Sequence, residues 1–599
     1  MSYLLAIAVG PIQEFIAAAR RTRDLWFGSH LLSETSRQVA KSVADQHGEL
    51  IFPATLDAAN VANVILAKLD LMDSEQVRAV AAAAKSSAGN RWREFVSDAR
   101  SHANAVIRDD IWENQVDDVI EFYAAWVRHD DDANYTTDRA RVMRLLAGRK
   151  NCRDFHQDSR LDAGIPKSSL DGQRASVLVG PAKNQTQATY RNEWPKGVRR
   201  KLRVRTGEQL DIVGVVKRIG EEHTPYPSVS RIAADVWIRG IVNRGGANIL
   251  SPLIDQCKAI REANRDVIHQ LDSSKYPQYE KFPYEGTTVF RTRHHEWWEE
   301  TEDTGNDSTV DSTPEWYSEF ESQLTQVEEF AAKNGMGMEP NPYLAVLVAD
   351  GDKMGEAISV LGTVKENQDF SRDLAKFAKD AQKIVADKNG VLVYAGGDDV
   401  LAFLPVDKCL QCARELHTSF GTLMAPWSKA TSKCLTLSVG IAIGHFMENL
   451  EDLLEYGRAA EKKAKKPDRD GLAIHLHKRG GTPIKIRDRW EHGIDKRIID
   501  FAKFFNDDSI PSKLPYELRT MASVYDDVNW PSTTISEAIQ RDVSRLLSDK
   551  RGAAPGSVKT LLSGYLRDLT SQNLLAFAQE LLVARQIAVA MKQSGETES

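Results

Sequence analysis

Residues 391–404 read Val391-Leu-Val-Tyr-Ala-Gly-Gly-Asp-Asp-Val-Leu-Ala-Phe-Leu404. Two short apolar runs, rich in β-branched and aromatic residues, predict two strands, and Gly396-Gly397 joins them as a hairpin because glycine tolerates the positive φ of a tight turn. The turn places Asp398 and Asp399 at its tip. Neighbouring carboxylates repel, so on stability grounds alone they are a poor choice. They make sense where a divalent cation neutralises them. The plainer alternative is a solvated hairpin, since Asp-rich turns are common.

Upstream, the apolar strand Tyr343–Ala349 runs into Ala349-Asp-Gly-Asp-Lys-Met-Gly355. Downstream come a helix over 406–422, a strand Leu435–Ile443, a helix Leu450–Lys466 and a strand Leu472–Leu476. The order is β-α-β-β-α-β with an additional helix in the first crossover, the ferredoxin-like split βαβ arrangement. In such a sheet the first strand lies beside the hairpin, so Asp350 faces Asp398 or Asp399 across one gap, with Asp352 close by. Carboxylate oxygens completed by water and phosphate suit Mg²⁺ or Mn²⁺. Two such ions would activate a hydroxyl and stabilise a leaving pyrophosphate.

The chain has 599 residues, which predicts three to five domains. Hydrophobic residues make up 42% and charged residues 27%, which excludes a disordered or collagen-like chain. With 78 basic against 85 acidic residues there is no global attraction to nucleic acid, so such contacts must be local. Five cysteines argue against a secreted disulfide scaffold and for a reducing cytoplasm. No run approaches the roughly 20 apolar residues needed to cross a bilayer. The opening Met-Ser-Tyr-Leu-Leu-Ala-Ile-Ala-Val-Gly10 lacks the basic start of a signal peptide and reads as a strand.

The expected divisions are 1–150, an αβ domain with a helical insertion; 151–335, a small mixed and helical domain; 336–480, the hairpin domain; and 481–599, a helical domain. Within the first, a strand is followed by an Arg-rich helix over Ile12–Ser33, a second helix, and strands near Leu50–Phe52 and Asn63–Ala67. Residues 72–150 read as helical. Glu296–Thr313 is acidic and Ser/Thr-rich, a loop or insertion. The chain opens with one β-α-β pattern and resumes a clearer one near 341, which suggests a diverged duplication.

The Gly-Gly-Asp-Asp turn resembles the palm domains of nucleotide cyclases and polymerases, including GGDEF diguanylate cyclases. Gly10-Pro-Ile-Gln-Glu-Phe-Ile16 and Ala19-Arg-Arg-Thr-Arg-Asp-Leu-Trp-Phe-Gly-Ser-His-Leu-Leu32 narrow the resemblance to the large subunit of type III CRISPR effector complexes, in the Cmr (type III-B) branch. Pro166–Arg174, Gly207–Arg218, Tyr226–Ser230, Glu461–Lys465 and Arg479–Gly481 are similar family traces. The resemblance implies an α+β chain with two ferredoxin-like palm domains, a small domain between them and a helical C-terminal domain. It implies a subunit of an RNA-guided antiviral complex that makes oligoadenylate messengers from ATP when target RNA is bound. By the same analogy Asp350, Asp398 and Asp399 are catalytic and, with Asp352, hold Mg²⁺ or Mn²⁺. Gly28, Ser29, Gly396, Gly397 and Lys465 bind nucleotide. Implied partners are the other complex subunits, guide RNA, target RNA and ATP, with no membrane. Lys465 has a bland alternative, because five of the six residues 461–466 are charged and form a natural solvated helix face.

Two departures follow. Many relatives carry an N-terminal HD phosphohydrolase domain, but here the palm-like strand begins at about residue 3 and His129-Asp130 reads as an exposed loop, so no HD-type DNase is expected. Relatives also often carry two Cys-x-x-Cys pairs, at positions that here read Ser168, Asp171, Asp211 and Gly214. No structural zinc is expected, because such a site needs four thiolate or imidazole ligands. Cys409 and Cys412 read as a helix face.

Arg191–Arg205 holds seven basic residues and one tryptophan, suited either to a phosphate backbone or to a solvated hairpin or subunit contact. Arg20, Arg21 and Arg23 either meet phosphates or orient the domain. Trp297-Trp298 reads as a partner patch. Three rival activities stay open: joining AMP to S-adenosylmethionine, a non-catalytic scaffold, and a free-standing diguanylate cyclase.

Overall fold

A computed structural model describes all residues except 58–59, 153–163, 182–183, 206, 221–225, 264–266, 296, 298–314, 527–531, 549–569 and 596–599. Two sheets organise it. The first contains β1 (Tyr3–Gly10), β2 (Glu49–Phe52), β3 (Val64–Leu69) and β4 (Glu121–Arg128) in the order β2-β3-β1-β4. All of its pairings are antiparallel. Period-2 alternation puts Leu5, Ile7 and Val9 of β1 against α2 (Thr22–Asp45) and α3 (Ser74–Ala103). Leu4, Ala6 and Ala8 meet α4 (Tyr135–Asn151) on the other face. Both faces are covered, which is why β1 is apolar throughout and every residue of it is buried.

The second sheet contains β5 (Tyr343–Gly351), β6 (Val391–Ala395), β7 (Val400–Leu404), β8 (Leu437–His445), β9 (Gly471–Leu476) and β10 (Ile484–Arg489), in the order β10-β9-β8-β5-β7-β6. Strand β5 is antiparallel to β7 and β8, and β6 to β7. The core quartet β8-β5-β7-β6 therefore repeats the arrangement β4-β1-β3-β2 of the first sheet, strand for strand and sense for sense. Both are ferredoxin-like, and the repeated pattern near 341 is a repeated topology.

Two strands depart from the expected pattern. Residues 72–150 are not helical throughout, because Glu121-Phe-Tyr-Ala-Ala-Trp-Val-Arg128 forms β4 on β1. Beyond 481 the chain first adds β10, antiparallel to β9. The Arg-rich helix is also broken: α1 (Gln13–Ala17) ends before α2 begins at Thr22.

Between the two sheets in sequence lie α5 (Ile212–Ile219), which packs in the core beneath α2 and α3, and α6 (Val229–Asn243), which packs in the core of the second sheet. Helix α7 (Val364–Asp387) links the sheets, because Gln368 Nε2 donates to the Leu50 carbonyl at 2.9 Å and the Ala54 N–H donates to Ser371 Oγ at 2.9 Å. It covers one face of the second sheet together with α8 (Cys409–Thr431). On the other face lies α9 (Leu450–Ala464). Cys409 and Cys412 are buried in α8, and none of the five cysteines is paired.

The last helix, α10 (Ser571–Ser594), corrects the expectation about apolar runs. Among the described residues it is long and apolar enough to cross a membrane by length and composition, but 67% of its apolar window is buried inside the fold. It packs on α6 and on the helix Ile494–Asn506. The basic stretch is partly helical over Lys196–Leu202, and Arg191 folds back to donate to the Val204 carbonyl at 2.7 Å.

Candidate active site

The hairpin turn is built around glycine. Gly397 has φ +102°, and a Cβ on Gly396 would overlap the Tyr394 hydroxyl. Asp398 and Asp399 leave this turn into β7. Strand β5 pairs with β7 so that Ala349 lies opposite Val400. Extending that register sets Asp350 opposite Asp399 and Gly351 opposite Asp398. The close approach is real: a Cβ on Gly351 would stand 2.8 Å from the Asp398 Cβ. The structure thus brings Asp350, Asp398 and Asp399 to one sheet end.

Helix α9 reaches the same place because it lies on glycine. A Cβ on Gly440 of β8 would stand 2.0 Å from the Glu461 backbone nitrogen, and one on Gly457 would stand 2.9 Å from Val348. The helix end then carries Lys465 onto the Asp350 carboxylate, while Glu461 Oε1 lies 2.8 Å from the Lys465 Nζ. Lys465 is therefore not a solvated helix-face lysine. Glu461, buried and without a role from sequence, is the fourth carboxylate of the site.

Among the described residues no ion pair or side-chain hydrogen bond reaches the carboxylates of Asp398 or Asp399. Loss of hydration and the charge of Asp399 push Asp398 up to about 7, and loss of hydration raises Asp399 as well. Burial, then the charges of Asp399 and Asp352, push Glu461 up to about 7. Burial, then Arg469, pulls Lys465 down to about 8. Negative charge is thus concentrated here with one ammonium against it.

Asp352 is placed differently from its neighbours. It is fully buried, and its Oδ2 accepts from Thr436 Oγ1 and Ser438 Oγ at 2.8 Å each and from the Asp470 N–H at 3.1 Å. Its Oδ1 makes no hydrogen bond and lies 3.7 Å from Arg469 Nη1. This carboxylate joins β8 and the loop after α9 to the end of β5.

The donor chemistry fits a hard dication. Among the described residues no three His, Cys, Asp or Glu side chains already close into a cage. An ion such as Mg²⁺ takes only one or two carboxylates and fills its shell with water and phosphate. The uncompensated Asp398–Asp399 pair meets that requirement.

Gly28 and Ser29 lie in α2, which packs on β6. Gly28 faces the buried Lys217, whose Cε would be 2.9 Å from an added Cβ, and the buried Ser29 hydroxyl has no hydrogen-bond partner among the described residues. Of the two readings of the arginine cluster, the geometry favours domain orientation. Arg23 donates to the Lys217 and Arg218 carbonyls at 2.9 and 2.6 Å, Arg20 to the Ser169 carbonyl at 3.2 Å, and Arg21 to the Arg203 carbonyl. Beneath them Arg218 is buried between Asp24 at 3.0 Å and Glu208 at 2.6 Å.

Three expectations are corrected or bounded. His129 is no exposed loop residue but is buried, its ring held by Asp138 at 2.9 Å and Asp132 at 3.2 Å. Trp297 is not a surface patch, since it is buried and stacked on His294 with ring centroids 4.3 Å apart. Trp298 and most of Glu296–Thr313 lie outside the described residues. Three of the four positions aligned with the cysteine pairs meet, while the exposed Asp171 accepts from the Gln173 N–H instead. Ser168 Oγ is 3.3 Å from Asp211 Oδ1, and that oxygen caps α5 through the Gly214 N–H at 2.9 Å.

Two palm sheets, one of them ending in a carboxylate turn, define a double-palm α+β protein. Comparison with known proteins agrees. Residues 343–473 match the family model described as Cas10/Cmr2, second palm domain, and residues 4–97 match CRISPR-associated protein Cmr2, N-terminal. The CRISPR system Cmr subunit Cmr2 of Pyrococcus furiosus is 25% identical over 672 aligned positions, covering 94% of this chain and 71% of the relative. A type III-B Cmr-beta structure in the apo state is similar with TM-score 0.61 and 13% identity, over 90% of this chain and 77% of that one. The Cmr-beta structure bound to cognate target RNA gives TM-score 0.59 at 13% identity, over 90% and 78%. At that identity the likeness concerns the fold. Together these matches support a Cmr2-type large subunit of the type III-B branch.

Proposed function

We propose that the chain is the large subunit of an RNA-guided type III-B complex and a metal-dependent nucleotidyltransferase that joins ATP into oligoadenylates when target RNA is bound. The observation that carries this reading is the Asp398–Asp399 pair, held without a counter-charge among the described residues one strand from Asp350. A stability-driven sequence has little reason to keep it. The names of the relatives, a Cmr subunit and a Cmr-beta complex bound to target RNA, support the assignment of subunit and RNA partners.

Asp350, Asp398 and Asp399 would hold Mg²⁺ or Mn²⁺, which when bound supplies charge neutralisation for the triphosphate and acidifies the attacking hydroxyl. Lys465 lies beside Asp350, where its ammonium can meet phosphate charge. Gly396 and Gly397 are assigned to the nucleotide on the family resemblance; the side-chain position of Gly397 is open to close approach, while that of Gly396 is taken by the Tyr394 hydroxyl. Gly28 and Ser29 are assigned to the nucleotide on the family resemblance, with the unpartnered Ser29 hydroxyl in support. Asp352 acts from within, holding the end of β5 to β8. Palm chemistry of this kind needs positioning and charge neutralisation more than a dedicated base. The unpaired cysteines accord with a cytoplasmic setting.

The test is the assembled complex with radiolabelled ATP and Mg²⁺ or Mn²⁺, with and without matched target RNA, and S-adenosylmethionine in a parallel tube. Target-dependent adenylate oligomers are expected. A product formed only with the added metabolite would move the acceptor, and no turnover with RNA binding intact would leave a scaffold.

A further inference from the structure

We infer that Glu461 is a positioning residue that takes over the Lys465 ammonium when a divalent ion claims Asp350. This rests on the reading of Asp350, Asp398 and Asp399 as ion-holding carboxylates.

The geometry carries it. One ammonium is paired with two carboxylates on different elements, Asp350 at the end of β5 and Glu461 on α9. Asp350 is the only one of the three proposed ligands with a basic partner among the described residues, so in the ion-free chain Lys465 stands where positive charge is required. A dication on Asp350 repels that ammonium and competes for the same oxygens. Lys465 must then give up Asp350, and a partly buried amine released without a partner is costly. Glu461 is one helical turn from Lys465, already 2.8 Å from its Nζ, and buried at the inner side of the helix. Among the described residues Glu461 Oε1 is buried and makes no hydrogen bond in the ion-free chain, so it is a vacant acceptor that the ammonium reaches by turning its own side chain, and α9 is fixed by Gly440 against β8. The released amine stays at the rim of the site, where an incoming phosphate meets it.

Through-space attraction alone predicts something similar for single variants, because Glu461→Gln removes a negative charge near the ion and Lys465→Met removes a positive one. The two accounts separate in a double-mutant cycle. If Glu461 acts through Lys465, its carboxylate has no work left once the lysine is gone.

The experiment is Mn²⁺ binding to the purified full chain, read from the electron paramagnetic resonance signal of free Mn²⁺, with no nucleotide present. Glu461→Gln is expected to weaken Mn²⁺ binding roughly tenfold, the scale of one lost charge-assisted contact. Lys465→Met is expected to tighten it. The double variant is expected to bind like Lys465→Met alone, which also shows that a chain carrying Glu461→Gln is folded. Equal weakening by Glu461→Gln with and without Lys465 overturns the inference while leaving the metal site standing. Binding that ignores Asp398→Ala with Asp399→Ala overturns the reading of the site, and this inference with it.

Discussion

Asp350 and Lys465 are 115 residues apart in sequence and form an ion pair at the mouth of the second sheet, where the lysine is shared with Glu461. The pair joins the end of β5 to the end of α9, and it exists because two glycines, Gly440 and Gly457, let that helix lie directly on the strands. Around it, one ammonium faces a group of four carboxylates. Most of what the site is expected to do follows from that imbalance.

The turn carboxylates make no ion pair among the described residues, so removing them leaves no partner stranded. Replacing both, Asp398→Ala with Asp399→Ala, is expected to abolish nucleotidyl transfer while assembly of the complex, followed by size-exclusion chromatography, is unchanged. Loss of assembly would make the turn structural.

The pH response has a defined sign. Asp398 is raised to about 7 from an ordinary value near 4, so between those limits the folded chain binds more protons than the unfolded one. Stability in the absence of divalent ions therefore falls as pH rises from about 4 to about 7. Thermal melts at pH 5 and pH 8 should show the fall, and Asp398→Asn should reduce it.

Asp352 should behave as a structural residue. Its Oδ2 satisfies two hydroxyls and one backbone N–H in a buried site. Asp352→Ala is expected to lower stability by about 2–4 kcal/mol, read from denaturant unfolding, by stranding those donors. Ser438→Ala, which removes one donor, should cost about 1 kcal/mol.

Arg218 is buried between Asp24 of α2 and Glu208. Arg218→Met leaves two buried carboxylates facing each other and is expected to cost about 3–5 kcal/mol. The measurement is again denaturant unfolding, with the midpoint lowered and Mn²⁺ binding at the second sheet unchanged.

Much of this was legible in the sequence, for identifiable reasons. The hairpin 391–404 carries apolar strands around an unmistakable turn, and the split βαβ order brings Asp350 to face Asp398 or Asp399, whereas the choice of Asp399 depends on a strand register that only the structure supplies. Strand β4 escaped notice because Glu121–Arg128 lies between helices and holds an Ala-Ala pair; its signal was the aromatic run of Phe122, Tyr123 and Trp126. Strand β10, with Lys485, Arg487 and Asp488, reads as polar because it is an edge strand with one face open. Glu461 was hidden among lysines. Only the close packing of α9 on Gly440 distinguishes an inward carboxylate from its solvated neighbours. His129 and Trp297 looked exposed by their surroundings in sequence, and their burial depends on residues to which sequence alone gives no distance.

The two sheets share a strand order, but the connection between β2 and β3, residues 53–63, contains a single aspartate, Asp57, where β6 and β7 are joined by Asp398 and Asp399. A pair of separate identical subunits would carry two reactive turns or none. Fusion in one chain fixes the ratio of the sheet that bears the carboxylate turn to the sheet that lacks it at one to one at every concentration. The turn of the first sheet is then free to diverge, while each molecule keeps one pair of adjacent turn carboxylates.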